Sequence, residues 1–303
     1  MSEIIVVFGA TGKQGGSVIQ AIQNDQSLAA RFKIRAVTRN LSSSAAQKLV
    51  DKGLEVIQGD MSVYESVEKV VSGADTVFLV TNFWEQCERS IEVSQGKNVT
   101  DACKVAGVQH LIFSSLIDAS EESKGAWVNI PHFDGKAEIE RYIRQSGVPA
   151  SFILAGTYMT EIEGMLQRHD GNYVIALPLN SNAEIPLLDA SEDTGLFVKA
   201  AIKNHKSVLG QRIYASAAYY TIEQIIEDFS KVTGKAATFM KVTEEQFKSF
   251  LPPNKAVEVF ETLMMTQTTG YYAGADLTDS LKLLDGKPTE WKGYVAKNRE
   301  KWL

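Results

Sequence analysis

Gly9, Gly12 and Gly15 stand three apart in Gly9-Ala10-Thr11-Gly12-Lys13-Gln14-Gly15, directly after the apolar run Ile4-Ile5-Val6-Val7-Phe8. The first glycine of such a triplet lets the chain turn off a strand, the second lets backbone approach a pyrophosphate, and the third lets helix and strand pack closely. The phosphate would then meet the unpaired N–H groups and positive dipole end of the following helix. This spacing points to a dinucleotide clamp. A second constellation is His132-Phe133-Asp134-Gly135-Lys136, where one helical turn separates an imidazole from an ammonium so that both could face one ligand. Imidazole can act as a general acid near neutral pH. His132 follows Pro131, however, and equally fits a first-turn helix residue with no chemistry. Ser114 or Ser115 could supply a hydroxyl nearby.

Arg39 decides the flavour of the dinucleotide. An acidic residue after the second strand would bind the ribose 2′-OH of NAD, whereas a basic one accommodates the 2′-phosphate of NADP. The sequence there reads Ala36-Val37-Thr38-Arg39-Asn40, without a carboxylate, and Lys13 adds a positive charge inside the glycine turn. NADP is therefore the expected cofactor. The histidines His110, His132, His169 and His205 show no ligand spacing, so no metal site is expected. Cys87 and Cys103 read as two thiols of one helix, sixteen positions or about 24 Å apart and beyond disulfide reach.

The elements that must position these residues follow from alternation of short apolar runs with amphipathic stretches, the pattern of βαβ units and a parallel sheet. Strands are expected at residues 4–8, 33–37, 55–58, 76–80, 110–114 and 151–154, with helices at 15–24, 45–52, 63–71, 88–106 and 133–145. The ligand crevice of such a fold lies at the strands' carboxyl ends. Those ends read Gly9-Ala10-Thr11, Thr38-Arg39-Asn40, Gly59-Asp60-Met61, Thr81-Asn82-Phe83, Ser114-Ser115 and Ala155-Gly156-Thr157. Beyond Gly156 the periodicity shortens. Helices are expected from Asp189 to about Asn204, after the capping boxes Thr221–Gln224 and Thr243–Gln246, over 256–265 and over 289–302, with short strands at 213–215 and 238–240. The fold class expected is thus α/β, a Rossmann-type doubly wound parallel sheet over residues 1–156, with a smaller irregular α/β lobe over 157–303 that closes the crevice.

Size and charge narrow the function classes. A chain of 303 residues with 44% hydrophobic and 22% charged residues is ordinary for a globular protein of enzyme size. Its formal charge of −6 offers no general attraction to phosphate backbones, so no direct nucleic-acid partner is expected. No stretch reaches the roughly 20 apolar residues that span a bilayer, and Met1-Ser2-Glu3 leads straight into a strand. A cytoplasmic protein with no membrane partner is expected, the nucleus remaining open.

At Gly9–Gly15, Val37-Thr38-Arg39, Gln58-Gly59-Asp60, Val80-Thr81-Asn82-Phe83-Trp84-Glu85 and His132–Glu138 the chain resembles the NmrA-like family of atypical short-chain dehydrogenase/reductase-like proteins, most of all its animal NADPH-sensor branch. The likeness runs over nearly the whole chain and is looser after Gly156. It implies that Gly9 through Gln14 wrap the pyrophosphate and that Arg39 holds the adenosine phosphate. Asp60 and Met61 would flank the adenine, and Thr81, Asn82 and Phe83 would line the middle of the cofactor. Lys136 matches the lysine that binds the nicotinamide ribose. Tyr158-Met159-Thr160-Glu161 falls where the family closes over the nicotinamide, with Met159 and Glu161 departing in part from its usual aromatic and asparagine. Ser94 replaces a lysine of the sensor branch.

Two functions are compatible with this reading. Working short-chain dehydrogenases place a tyrosine four residues before the lysine, and here that position is His132. The loss favours an NADP(H)-binding redox sensor that acts through a regulatory protein partner. The alternative is an NADPH-dependent reductase of a small quinone, enone or imine, in which His132 and Lys136 carry the chemistry.

Overall fold

The computed structural model describes residues 2–302. In its first half, β1 (Glu3–Val7) leads to α1 (Lys13–Asn24) and α2 (Gln26–Arg31), then β2 (Phe32–Thr38), α3 (Ser44–Asp51), β3 (Glu55–Gln58), α4 (Tyr64–Val71) and β4 (Thr76–Leu79). There follow α5 (Phe83–Gln86), α6 (Arg89–Ala106), β5 (His110–Ser115), α7 (Ala119–Glu122), α8 (Pro131–Ser146) and β6 (Ala150–Ala155). The six expected strands and five expected helices are all present, with ends shifted by a residue or two. Alternation explains the strand core. Val6 and Phe8 pack with α4, α6 and α8 on one face, while Ile5 and Val7 pack with α1 on the other.

The second half runs β7 (Thr157–Tyr158), α9 (Met159–Met165), β8 (Gln167–His169), β9 (Asn172–Leu177), β10 (Glu184–Leu188), α10 (Thr194–Lys203), α11 (His205–Val208) and β11 (Arg212–Ala215). It ends with β12 (Ala218–Thr221), α12 (Ile222–Thr233), β13 (Ala237–Lys241), α13 (Glu244–Ser249), α14 (Pro253–Thr268), α15 (Thr278–Lys282) and α16 (Trp291–Lys297). The large sheet has seven parallel strands in the order β11-β6-β5-β4-β1-β2-β3, so the chain reverses direction between β1 and β4. This is a Rossmann-type doubly wound sheet, and its ligand crevice opens at that switch point.

The division expected at 156/157 is not a clean one. Strand β11 joins β6 in parallel at the edge of the large sheet. Helix α10 packs on α1, with Gly195 N–H donating to Ser17 Oγ at 2.8 Å. A side chain at Gly195 would overlap the Ser17 carbonyl, which is why this crossing needs glycine. The remainder forms the smaller lobe: two three-stranded sheets, β12-β10-β7 and β13-β9-β8, around a core that includes Met159, Phe229, Leu263, Trp291 and Trp302. Both capping boxes form as expected, Thr221 with Gln224 and Thr243 with Gln246.

Three local expectations are corrected. Helix α10 begins at Thr194 rather than Asp189, because Asp189 closes a turn on Ser191 N–H and Asp193 is drawn to Thr289, whose N–H donates to it at 2.8 Å. The terminal helix is broken: α16 ends at Lys297, Asn298 turns its amide back to the Tyr294 carbonyl, and a 3₁₀ turn covers Arg299–Trp302. Cys87 is not on the helix of Cys103. It ends α5 in the left-handed region at φ 52°, and both thiols are free.

Candidate functional site

The glycine turn is built as its spacing requires. Gly9 has φ +65°, and a Cβ there would lie 2.7 Å from Val80 Cγ1. A Cβ at Gly15 would overlap the Gly9 carbonyl, so turn and helix touch backbone to backbone. Gly12 is the N-cap of α1 and brings no side-chain cap, which leaves the first-turn N–H groups of Lys13, Gln14 and Gly15 without intrahelical acceptors. Gln14 donates to the Tyr158 hydroxyl at 2.6 Å, but its own Oε1 is buried without a partner. An uncapped helix start beside an orphaned polar atom fits an anionic ligand with donors of its own, as a dinucleotide has.

A cleft of about 1010 Å³ runs along the strand ends from this turn. Gly9, Thr11, Gly12, Lys13, Gln14, Gly15, Arg39, Asp60, Met61, Thr81, Asn82, Phe83, His132, Lys136, Tyr158 and Glu161 line it. Three expected residues do not. Ala10 packs beneath the turn, 2% exposed, and Met159 turns into the core of the smaller lobe, since each side chain is apolar and has a hydrophobic layer to join. Thr160 instead receives Lys13 Nζ at 2.8 Å, which ties α9 down over the glycine turn. Ser114 and Ser115 both lie in the cleft wall, but the Ser115 hydroxyl is committed, donating to the buried Glu140 carboxylate at 2.7 Å.

Lys136 is held at the cleft's middle by a buried carboxylate. Its Nζ donates to Thr81 Oγ1 at 2.7 Å and to Glu92 Oε1 at 2.8 Å, and the Thr81 hydroxyl donates to the same Glu92 oxygen at 2.7 Å. Glu92 is 2% exposed, and its Oε2 has no partner.

His132 sits in the first turn of α8 behind Pro131, and its ring lines the cleft. Glu258 of α14 reaches it from the second half of the chain: one carboxylate oxygen lies 2.5 Å from Nδ1 and accepts from the His132 N–H at 3.2 Å. The Trp84 ring packs against the imidazole at a centroid distance of 4.9 Å and Phe83 at 5.9 Å. Ring position and tautomer are thereby fixed, with Nδ1 on Glu258 and Nε2 the nitrogen left for a ligand. The cleft continues past His132 along Met165, Val259, Leu263 and Tyr271, a mostly apolar wall.

On the opposite wall, Glu161 opens onto the cleft and is wetted by it, yet protein surrounds it on the other sides. Those walls push its carboxyl up to about 7, against the pull of Lys13. Because cleft water is what keeps the residue exposed, a ligand that displaces the water strengthens this shift. Burial likewise holds the Tyr158 hydroxyl up to about 12 and the enclosed Tyr271 well above the usual tyrosine range.

Glu85, Glu92 and Glu258 are the charged partners of site residues that sequence reasoning missed, and Met165, Val259, Leu263 and Tyr271 the apolar wall that it missed. Glu92 left one signal, a carboxylate on the buried face of α6 with Gly96, Val99 and Cys103. No helix among the described residues is long and apolar enough to cross a membrane, and among them no cluster of histidine, cysteine or carboxylate side chains could hold a metal ion.

The sequence model of the NmrA-like family matches residues 1–295. An NmrA-like family domain-containing protein of Dictyostelium discoideum is 33% identical over 258 residues, covering 82% of this chain and 83% of its own. An NmrA-like family domain-containing oxidoreductase of Penicillium ochrochloron is 28% identical over 302 residues, covering 91% and 88%. Among solved structures, that of NmrA, a negative transcriptional regulator, in complex with NADP superposes with a TM-score of 0.82 at 24% identity, over 99% of this chain and 96% of that one.

Proposed function

Because the chain belongs to the NmrA-like family, we propose that it is an NADP(H)-dependent reductase of a small, largely apolar acceptor that carries a carbonyl or imine group. One observation carries this reading: His132, the residue in place of the expected tyrosine, is held by Glu258 with a ring nitrogen left for the cleft. A reductase needs a positioned acid beside its hydride donor, and here the acid is assembled from two distant helices.

The residues divide the work by position. The glycine turn and the start of α1 bind the pyrophosphate, and Arg39 at the tip of β2 binds the adenosine end. Lys136 and Tyr158, which line the cleft, would hold the nicotinamide half. When bound, the reduced cofactor supplies a hydride to the acceptor carbon. His132, when protonated on both ring nitrogens, supplies its Nε2 proton to the acceptor's oxygen or nitrogen and regains it from solvent, while Glu258 keeps Nδ1–H engaged. Lys136, fixed by Thr81 and Glu92, orients the ribose. The apolar wall formed by Phe83, Trp84, Met165, Val259, Leu263 and Tyr271 suits a conjugated or aromatic acceptor.

The second reading, a redox sensor working through a regulatory protein partner, is favoured by the same missing tyrosine. The two separate by assay. NADPH oxidation is followed with a panel of quinones, enones and imines, for the unmodified protein, His132→Ala and Glu258→Gln. The reductase reading expects turnover with at least one acceptor, reduced about 10²- to 10⁴-fold in His132→Ala, and reduced in Glu258→Gln while cofactor affinity is kept. Absence of turnover with the whole panel, alongside tight NADP(H) binding, gives the case to the sensor.

A further inference from the structure

Arg39 already has an anion. Its Nη1 lies 2.5 Å from Glu85 Oε1, although the two residues are separated by 46 positions in sequence. The Arg39 main chain is fixed from the other side, where Gln58 Nε2 donates to its carbonyl at 3.1 Å. Both charged side chains line the adenosine end of the cleft and also a smaller side pocket of about 510 Å³. They are 59% and 36% exposed, so the pair is held only weakly and its members can rearrange around a ligand. The carboxylate that the linear sequence lacks after β2 is therefore supplied in space by α5.

We propose that Glu85 and Arg39 together read the 2′ position of the adenosine ribose, and that Glu85 sets the balance between NADP and NAD. This rests on the dinucleotide reading of the cleft. A free 2′-hydroxyl can donate to the Glu85 carboxylate, the part an acidic residue at the end of the second strand plays in NAD sites. A 2′-phosphate brings more negative charge than a carboxylate and suits the fork of the guanidinium, so it takes Arg39 and displaces Glu85. Both cofactors are then accepted, and NADP is preferred less than Arg39 alone would make it.

Dinucleotide affinity of the whole chain tests this without reference to turnover. NADP and NAD are titrated calorimetrically into the unmodified protein, Glu85→Ala, Glu85→Gln, Arg39→Ala and the Arg39→Ala/Glu85→Ala double variant. The substituted side chains are on the surface, and circular dichroism verifies that the variants are folded. Removing the competing charge is expected to tighten NADP about threefold to tenfold in both Glu85 variants, an effect that shrinks as salt is added. NAD should weaken about twofold to tenfold in Glu85→Ala, which loses the acceptor, and should stay near its native affinity in Glu85→Gln, which keeps one. In Arg39→Ala NADP should lose its advantage over NAD, and the double variant should bind the two alike, because neither group that reads the 2′ position is then present. An unchanged NADP-to-NAD ratio in Glu85→Ala, or an NADP preference that survives in the double variant, overturns the proposal while leaving the dinucleotide cleft intact. Failure of the unmodified protein to bind either cofactor overturns both.

Discussion

Replacing Lys136 with methionine removes the cation that makes the burial of Glu92 tolerable. Glu92 is 2% exposed, its Oε1 collects Lys136 at 2.8 Å and Thr81 at 2.7 Å, and its Oε2 has no partner at all. At that separation and an effective dielectric of about 20, the Coulomb attraction is roughly 6 kcal/mol, and most of it offsets the cost of dehydrating the two charges. Loss of the cation leaves a buried carboxylate with only a threonine hydroxyl. Breaking such a pair costs about 3–5 kcal/mol, and for a chain of 303 residues this lowers the unfolding temperature by about 5–8 °C. Glu92→Leu combined with Lys136→Met should recover most of that loss, because no charge is then left buried. Urea and thermal unfolding of the single and double variants, each without cofactor, measure the effect. A Lys136→Met protein as stable as the native one, or a double variant as unstable as the single, would refute the reasoning. The result also bears on activity data: loss of turnover in a Lys136 variant counts as catalytic only once its fold has been shown intact.

The glycine turn separates steric effects on folding from steric effects on binding. At Gly12 an added Cβ meets only the Gly9 carbonyl, at 3.3 Å, so Gly12→Val should fold, as judged by circular dichroism, and lose cofactor affinity because its side chain fills the pyrophosphate position. At Gly15 the added Cβ overlaps the Gly9 backbone, so Gly15→Ala should lower the urea midpoint as well. Equal stability of the two variants counts against the close strand-to-helix packing inferred here. Glu161 should make stability depend on pH: its carboxyl titrates at 4.5 when unfolded and is pushed up to about 7 in the folded chain. The folded state therefore holds the extra proton between those values, and stability falls as pH rises through that window and levels off above it. In Glu161→Gln the urea midpoint should vary less with pH over the same window, and an unchanged slope would show that the cleft wall does not hold this carboxyl up.

The large sheet was legible because parallel strands covered on both faces must be apolar throughout, and runs such as Ile4–Phe8 and Leu111–Phe113 permit little else. Strand β11 and helix α10 were recognisable as elements but not as parts of that sheet. What places them is contact at long range, at Ser17 and Gly195 for α10 and along Phe152–Ala155 for β11, and local periodicity carries no trace of it. The cleft divides in the same way. Its lining at the strand ends could be named from topology, since a doubly wound sheet puts its ligand there whatever the side chains are. The partners of Arg39, Lys136 and His132 could not be named, because they lie 46, 44 and 126 positions away. Yet one of the three carboxylates was marked. Glu92 shares the buried face of α6 with Gly96, Val99 and Cys103, whereas Glu258 sits among polar neighbours one turn away on α14, Asn254, Lys255, Glu261 and Thr262. A carboxylate in an apolar stripe is too costly to leave unpaired. Each such position therefore announces that another element must bring it a donor, and in a chain whose α8 already offers a lysine and a histidine to the cleft, those two are the first places to look.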